Sequence, residues 1–383
     1  MENITHSLLG ATLAEIALPK DATPRQRTLF YVTGIIAANL PDADLLYTKI
    51  TPSPLGYLLH HRGHTHTLAG IIVLAALIGI ITLLPSLRTL VKSNESRYGV
   101  LVFAALGSHL IADSWNSYGV HALWPLTNRW YYGDAIFIAE PWLWALLGVS
   151  VVMNTRNDRG RVLLGGALIV IPIGAAFVGL LQMAALIPIA IVVAALAAWM
   201  RAQRPPQRAW LSIIAVVVFV GASYTLRNGV RQMTVASNRM GEHRRQIDVI
   251  LSPAPGNPLC WNAQSLEEAA DSLYIRQGSL GIGGSVLRFN PCGRRASAWK
   301  TTDVQSIAAL RTAMRDDCSV RAWLQFGRAP FMTSDMIADA RFGGPGRGNF
   351  SAMEVAHDAS PRACPPHLTN WGLPRADVLA RGR

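Results

Sequence analysis

Apolar runs of similar length alternate with short basic loops through roughly the first 230 residues. Residues 68–87 and 210–226 carry no charge, and 162–180 and 183–200 are two more uncharged runs that nearly touch. Each approaches the ~20 residues that a helix needs to cross the hydrocarbon core of a bilayer. Residues 98–112 and 135–153 are weaker runs that carry His109 and Glu140, and they read as spans with polar cargo. Residues 4–18 and 29–40 are too short to span comfortably and read as tilted short helices or a helical hairpin dipping into the bilayer. The pattern therefore predicts six spans after two short helices. Met1-Glu2-Asn3 lacks the basic front end of a secretory signal, so the start is not read as one.

From about residue 228 the pattern becomes that of a soluble domain. Residues 252–258 form a turn-rich, Pro-bearing link that cannot be helical. Short strand-like pieces follow at 285–289, 322–326 and 336–342, and 265–273 and 304–314 read as helices. The expected fold is an all-α, multi-span membrane helical domain over residues 1–227, with a carboxy-terminal α+β soluble domain over 228–383.

Composition agrees with a bilayer environment. Charged residues are 15% of the chain, against about 25% in soluble globular proteins. The net charge of +12 raises nucleic acid as a partner, but part of it lies in short loops between spans. Arg88, Lys92 and Arg97 form one set, Arg156, Arg159 and Arg161 a second, and Arg201, Arg204 and Arg208 a third. This is the positive-inside distribution, and no nucleic-acid partner is expected. With those loops in the cytoplasm, Arg25 and Arg27 are also inside. His6, residues 41–44, 54–67 and 113–136, and everything after about 227 lie outside. Arg227, Arg231, Arg239, Arg244 and Arg245 then follow the last span on the outer side, where long domains cross regardless of charge. All four cysteines, Cys260, Cys292, Cys318 and Cys364, fall in the tail domain and suggest disulfides, with three pairings open.

Five pieces carry candidate chemistry, and this topology puts all of them on one face. The first is His6. The second is the Pro-turned pair Asp42 and Asp44, two carboxylates able to point at one cation. The third is His60-His61-Arg62-Gly63-His64-Thr65-His66, four imidazoles and a guanidinium directly ahead of a span. Such groups are costly there unless solvated or coordinated. Imidazole is a common ligand for zinc and related metals, and the Arg62 fork suits phosphate or carboxylate. The fourth piece is His109 with Asp113, spaced i, i+4 and so on one helix face. The fifth is Asp134 with Glu140, able to close a coordination sphere or move a proton. Trp115, Tyr118, Trp124, Trp130, Tyr131 and Tyr132 lie between the last two and read as an interfacial aromatic belt. His6, Asp42, Asp44, His61, His66, His109 and Asp113 are the candidate metal ligands. Arg62, His64, Asp134 and Glu140 are the candidate catalytic residues. The ligand set is enough for one to two ions, and its N/O chemistry without thiolate fits Zn, or Mn. In the tail, His357 and His367 are isolated, and no metal spacing stands out.

In order along the chain, Thr5-His6-Ser7, the Pro41-Asp42-x-Asp44 turn, His61-Arg62-x-x-Thr65-His66-Thr67 and His109-x-x-x-Asp113 resemble the YdjM-like family of bacterial inner-membrane proteins, described as membrane-bound metal-dependent hydrolases. The ligand order is also distantly similar to the zinc-dependent phospholipase C and single-strand nuclease superfamily. By that resemblance His6, Asp42 or Asp44, His66, His109 and Asp113 are metal ligands. The resemblance implies an inner-membrane, multi-pass hydrolase with a periplasmic tail, membrane lipid as its surroundings and a phospholipid or envelope phosphodiester as substrate. The alternative is a metal-ion sensor or transporter without hydrolase activity. That alternative predicts polar residues through the middle of several spans, which residues 162–180 and 183–200 lack.

Overall fold

The computed structural model describes residues 1–239, 244–283, 292, 299–344, 348–355 and 364–380. The strand expected at 285–289 and His357 lie outside the described residues. The chain opens with a helical hairpin. Helix α1 (Asn3–Ala17) starts where Glu2 accepts a hydrogen bond from the Thr5 amide, and α2 (Pro24–Asn39) starts at a Thr23/Gln26 capping box with proline in its first turn. The two backbones touch where a methyl added to Gly10 would overlap the Gly34 carbonyl. That approach holds His6 of α1 beside the end of α2, where the 3-10 turn Leu40–Leu46 carries Asp42 and Asp44.

Helix α3 (Leu55–His60) and the 3-10 turn His64–His66 follow, then α4 (Leu68–Ile81), whose first turn is capped by Thr67. The chain bends by 68° between α3 with its turn and α4. Helices α5 (Pro85–Val91) and α6 (Glu95–Asp113) precede a long loop. Then come α7 (Pro141–Asn154), α8 (Asp158–Phe177), α9 (Leu186–Met200) and α10 (Pro205–Arg239).

Four helical segments are long and apolar enough to cross a membrane: Pro24–Ile50, Asp158–Phe177, Met183–Met200 and Pro205–Ser237. The bent pair through α3 and α4 makes a fifth if counted as one span. Six were expected, and the differences have local causes. Residues 135–140 are not helical because α7 begins at Pro141, which leaves 14 residues, or ~21 Å of helix. Helix α6 opens on Glu95 and Arg97 and ends on His109 and Asp113. Conversely, the stretch expected to be too short at 29–40 starts earlier, at Pro24 just after its Thr23 cap, and continues through the Asp-bearing turn. Helix α10 runs past residue 227 to Arg239, and its Val230 packs on Val249, Leu251 and Trp261 of the tail.

The tail contains an antiparallel meander of β1 (Arg245–Ala254), β2 (Asn257–Ala269), β3 (Ser272–Gly281) and β4 (Lys300–Ser306), in that order. Helices α11 (Ile307–Asp316) and α12 (Cys318–Trp323) lead to a small second sheet of β5 (Pro330–Met332), β6 (Met336–Asp339) and β7 (Met353–Glu354). Helix α13 (Ala376–Leu379) ends it. The stretch 265–273, read as helix, is the β2–β3 hairpin. Its Glu-Glu-Ala-Ala favours helix locally, but β2 is paired on both edges, and that pairing decides. Ser306 ends β4 and caps α11, so 304–314 is only partly helical. The stretch 322–326 is a helix end, not a strand, and 336–342 is a strand followed by a 3-10 turn. The 252–258 link is a non-helical hairpin turn with Gly256 at φ +65°. The disulfides are Cys260–Cys292 and Cys318–Cys364.

The tail docks on the membrane part over a shared core. Leu55, Leu58 and Leu59 of α3 are buried with Leu310, Trp323 and Phe326. Beside this core, Arg328 makes two hydrogen bonds to Asp134, at 2.8 and 2.9 Å, and two to Asp248, at 2.9 and 3.2 Å. Burial alone would raise the Asp248 carboxyl, but Arg328 and Arg375 hold it down at about 2. A depressed folded-state value adds stability that is fully present above the unfolded carboxyl value of 3.8 and is lost as pH falls toward 2. The fall from 3.8 to about 2 corresponds to about 2 kcal/mol. Denaturant midpoints of the tail, followed by tryptophan fluorescence, should therefore fall between pH 4 and pH 2 in the native protein. Asp248→Asn should already be less stable at neutral pH and lose less on acidification. An equal acid loss in both proteins would refute the assignment.

Candidate metal centre

Four chain segments deliver side chains to one buried cluster. The 3-10 turn after α2 presents Asp42 and Asp44, the loop after α3 presents His61 and His66, α6 presents His109 and Asp113, and α1 presents His6. The i, i+4 spacing of His109 and Asp113 puts both on the same face of the last turn of α6, as a helix requires. Ligand atoms of Asp42, His66, His109 and Asp113 all lie within 4.8 Å of one another, and so do those of Asp42, Asp44 and His61. Asp42 belongs to both sets. Within the first set, His66 Nε2 lies 3.4 Å from Asp42 Oδ1, 3.3 Å from Asp113 Oδ2 and 2.9 Å from His109 Nε2.

The surroundings fix these rings. His109 Nδ1 lies 2.7 Å from the Ala38 carbonyl oxygen. That contact makes Nδ1 the protonated nitrogen and turns the Nε2 lone pair into the cluster. Asp44 Oδ1 lies 3.0 Å from His61 Nδ1, and its Oδ2 accepts from the Arg62 amide and the Thr65 hydroxyl, both at 2.9 Å. Arg62 sits at φ +59°, a region costing a non-glycine residue roughly 1–2 kcal/mol. Its anchors compensate: Nη1 donates to Asn116 Oδ1 at 3.0 Å, Nη2 donates to Asp113 Oδ1 at 3.1 Å, and Nε lies 3.0 Å from Asp113 Oδ2. Arg62 thus ties the Asp44 side of the cluster to the Asp113 side.

The donor set fits a cation. Its members are imidazole nitrogens and carboxylate oxygens without thiolate, the preference of zinc and manganese. His6 is fully buried, its ring is stacked on His109 at 3.8 Å, and neither ring nitrogen has a hydrogen-bond partner among the described residues. Its Nε2 is 3.4 Å from Asp113 Oδ1. The amino group of Met1 also contacts that oxygen. Buried polar atoms without partners are costly, and a shared ion would satisfy them.

The structure brings together all seven expected ligands, although His6 stands just outside the two tight sets. It does not bring three of the expected catalytic residues there. His64 packs on Trp124 and Trp371, with ring centroids 4.7 and 4.8 Å away. Asp134 pairs with Arg328. Glu140 caps α7 through the Trp142 amide and accepts the Gly256 amide from the β1–β2 turn at 3.1 Å. Arg62 is at the centre, but its guanidinium grips Asp113 and Asn116 and is 1% exposed, so it is not free to hold substrate oxygens. Sequence reasoning missed Asn116, three residues beyond Asp113, and Thr65. Asn116 lies past the helix end, where spacing gives no signal, whereas Thr65 lies inside the His-rich run. His121, in the loop between α6 and α7, is buried between Trp130 and Trp371 and pushed down to about 3, chiefly by that burial.

A helical membrane part that gathers imidazoles and carboxylates at one end, with an α+β domain closed over that end, is the class defined by this geometry. The family model described as YdjM inner membrane protein matches residues 1–184, which contain every candidate ligand. That match and the apolar helices support an inner-membrane protein. No curated protein and no solved structure matches the chain.

Proposed function

We propose that the chain is a membrane-bound, metal-dependent hydrolase that cleaves a phosphoester of phospholipid or envelope type. It would act at the outer face of the inner membrane, with the tail domain in the periplasm. The observation that carries this reading is Asp42, a carboxylate common to two ligand sets. Two cations sharing such a group suit phosphoester hydrolysis. Asp42, Asp44, His61, His66, His109 and Asp113 would hold divalent ions, zinc or manganese, which would supply polarisation of a phosphoryl oxygen and a water nucleophile at neutral pH. The chain's own groups do the rest. The Ala38 carbonyl orients His109, Arg62 fixes Asp113, and Asp44 fixes the His61–His66 loop. The side chains of Asp42 and His61 are each 10% exposed, while those of Asp44, His66, His109 and Asp113 are fully buried. Substrate and water would therefore enter along the Asp42–His61 edge. Leu45 and Leu46, in the same turn as both aspartates, are exposed and apolar, which supports delivery of a lipid from the bilayer. A transporter would need polar groups continuing through the spans, and the runs 162–180 and 183–200 carry none; Gln182 lies between them.

The test is metal analysis of purified wild type beside His109→Ala and Asp113→Ala, with a panel of phosphodiesters and phospholipids assayed on the same samples. The expected result is bound zinc or manganese in wild type, lowered content in both variants with unchanged helicity, and cleavage of a panel member by wild type alone. Full metal content in both variants would refute the centre. A metal-loaded wild type that cleaves nothing would refute the hydrolase.

A further inference from the structure

We infer that Trp371 is a positioning residue for the metal loop: residues 364–372 form a strap of the tail domain that locks residues 59–66 in the shape that brings His61 and His66 into the centre. This rests on the metal-centre reading above. The loop between those two ligands has little structure of its own. It consists of the end of a six-residue helix, Arg62 in the left-handed region, Gly63 and a single 3-10 turn. Segments with so few internal hydrogen bonds open locally unless something outside holds them.

Trp371 holds this one at both flanks. It is 4% exposed. Its indole N–H donates to the Leu59 carbonyl at 2.8 Å, two residues before His61. Its ring lies 4.8 Å from that of His64, two residues before His66. The opposite contact is His121, stacked on Trp371 at 3.9 Å and backed by Trp130 at 3.8 Å. Trp371 touches no ligand itself, so its action runs through the loop backbone and the His64 ring.

The strap is tied down along its length. The Trp371 amide donates to Gln325 Oε1 at 2.8 Å, the Gly372 amide donates to the Asn128 carbonyl at 3.0 Å, and Asn128 Nδ2 donates to the Asn370 carbonyl at 3.1 Å. Nearer its start, Thr51 Oγ1 lies 3.1 Å from the Pro366 carbonyl oxygen and 2.9 Å from His60 Nε2. The covalent anchor is the Cys318–Cys364 disulfide, which joins the start of the strap to α12, the helix that packs on α3. One element of the tail therefore reaches the metal loop by a stacked ring, a backbone hydrogen bond and a disulfide-held neighbour helix.

Groups just outside the ligand sphere typically set metal affinity by 10–100-fold. Full-length protein in detergent, loaded with zinc and mixed with a chelator in excess, should release metal on the order of 10-fold faster as Trp371→Ala than as wild type. Trp371→Phe, which keeps the stack on His121 and loses the indole donor, should fall between them. The thermal midpoint and helicity of Trp371→Phe should match wild type while its metal release is faster, which separates loss of the indole donor from a general loss of fold. The double variant Cys318→Ser, Cys364→Ser should also release faster, and it decides the matter if Trp371→Ala does not fold. Hydrogen exchange of residues 55–67 in metal-stripped protein should be faster in Trp371→Ala. Unchanged release and unchanged exchange in these variants would overturn the inference. If wild type binds no metal, the centre fails, and the exchange measurement alone decides the strap.

Discussion

Asp42→Ala is expected to empty both ligand sets at once, whereas His61→Ala and His109→Ala each empty one. The reason is geometric. Asp42 is the one residue shared between the set with His66, His109 and Asp113 and the set with Asp44 and His61. Each histidine belongs to a single set. Metal content per chain, measured on purified protein, should therefore fall stepwise: highest in wild type, lower by one ion in either histidine variant, and near zero in Asp42→Ala. Hydrolysis should follow content. For Asp42→Ala the loss should be at least about 10²–10³-fold, the scale lost when a single preorganised transition-state group is removed. The carboxylate is partly exposed and makes no contact that supports the backbone among the described residues, unlike Asp44, so folding should survive the substitution. A variant that keeps one ion with Asp42 gone would refute the shared-ligand arrangement.

The clustering of the candidate ligands was legible in the sequence because their positions break local rules. Imidazoles and carboxylates at the ends of apolar helices are expensive without a partner, and helix periodicity puts His109 and Asp113 on one face. The helical hairpin, the membrane character and the α+β tail were legible for similar local reasons. What could not be read was long-range. Asp134 stands beside an aromatic belt, as a proton carrier would, and only the fold supplies Arg328, 194 residues away. Glu140 precedes a proline at a helix start, which describes an N-cap as well as it describes an acid. Arg62 has the chemistry to bind phosphate, yet its φ of +59° and its contacts commit it to Asp113 and Asn116. The 265–273 stretch has helix-favouring composition and is a hairpin because strands flank it on both sides. Trp371 carries no sequence signal at all, since its partners Leu59, His64 and His121 are remote along the chain.

The second large effect concerns docking. Asp134→Ala should destabilise the junction between the tail and the membrane part by about 3–5 kcal/mol, the usual cost of removing one partner from a buried ion pair. Both members are deeply buried: the Arg328 side chain is 5% exposed and that of Asp134 is 1% exposed. The guanidinium also lies 4.1 Å from the centre of the Tyr132 ring, so its charge stays in a place water does not reach. Asp248 still pairs with it and limits the damage, which favours the lower end of that range. Removing both charges with apolar residues, Asp134→Leu with Arg328→Met, should recover part of the loss: the uncompensated guanidinium is gone, while Asp248 keeps Arg375 as its remaining partner at 3.2 Å. Denaturant midpoints and protease sensitivity of the β1–β2 turn would read both effects. The same pair of variants separates a docking role from a catalytic one. If Asp134 moved a proton in the reaction, the double variant would regain stability and remain inactive. If it only docks the tail, stability, metal retention and turnover should return together.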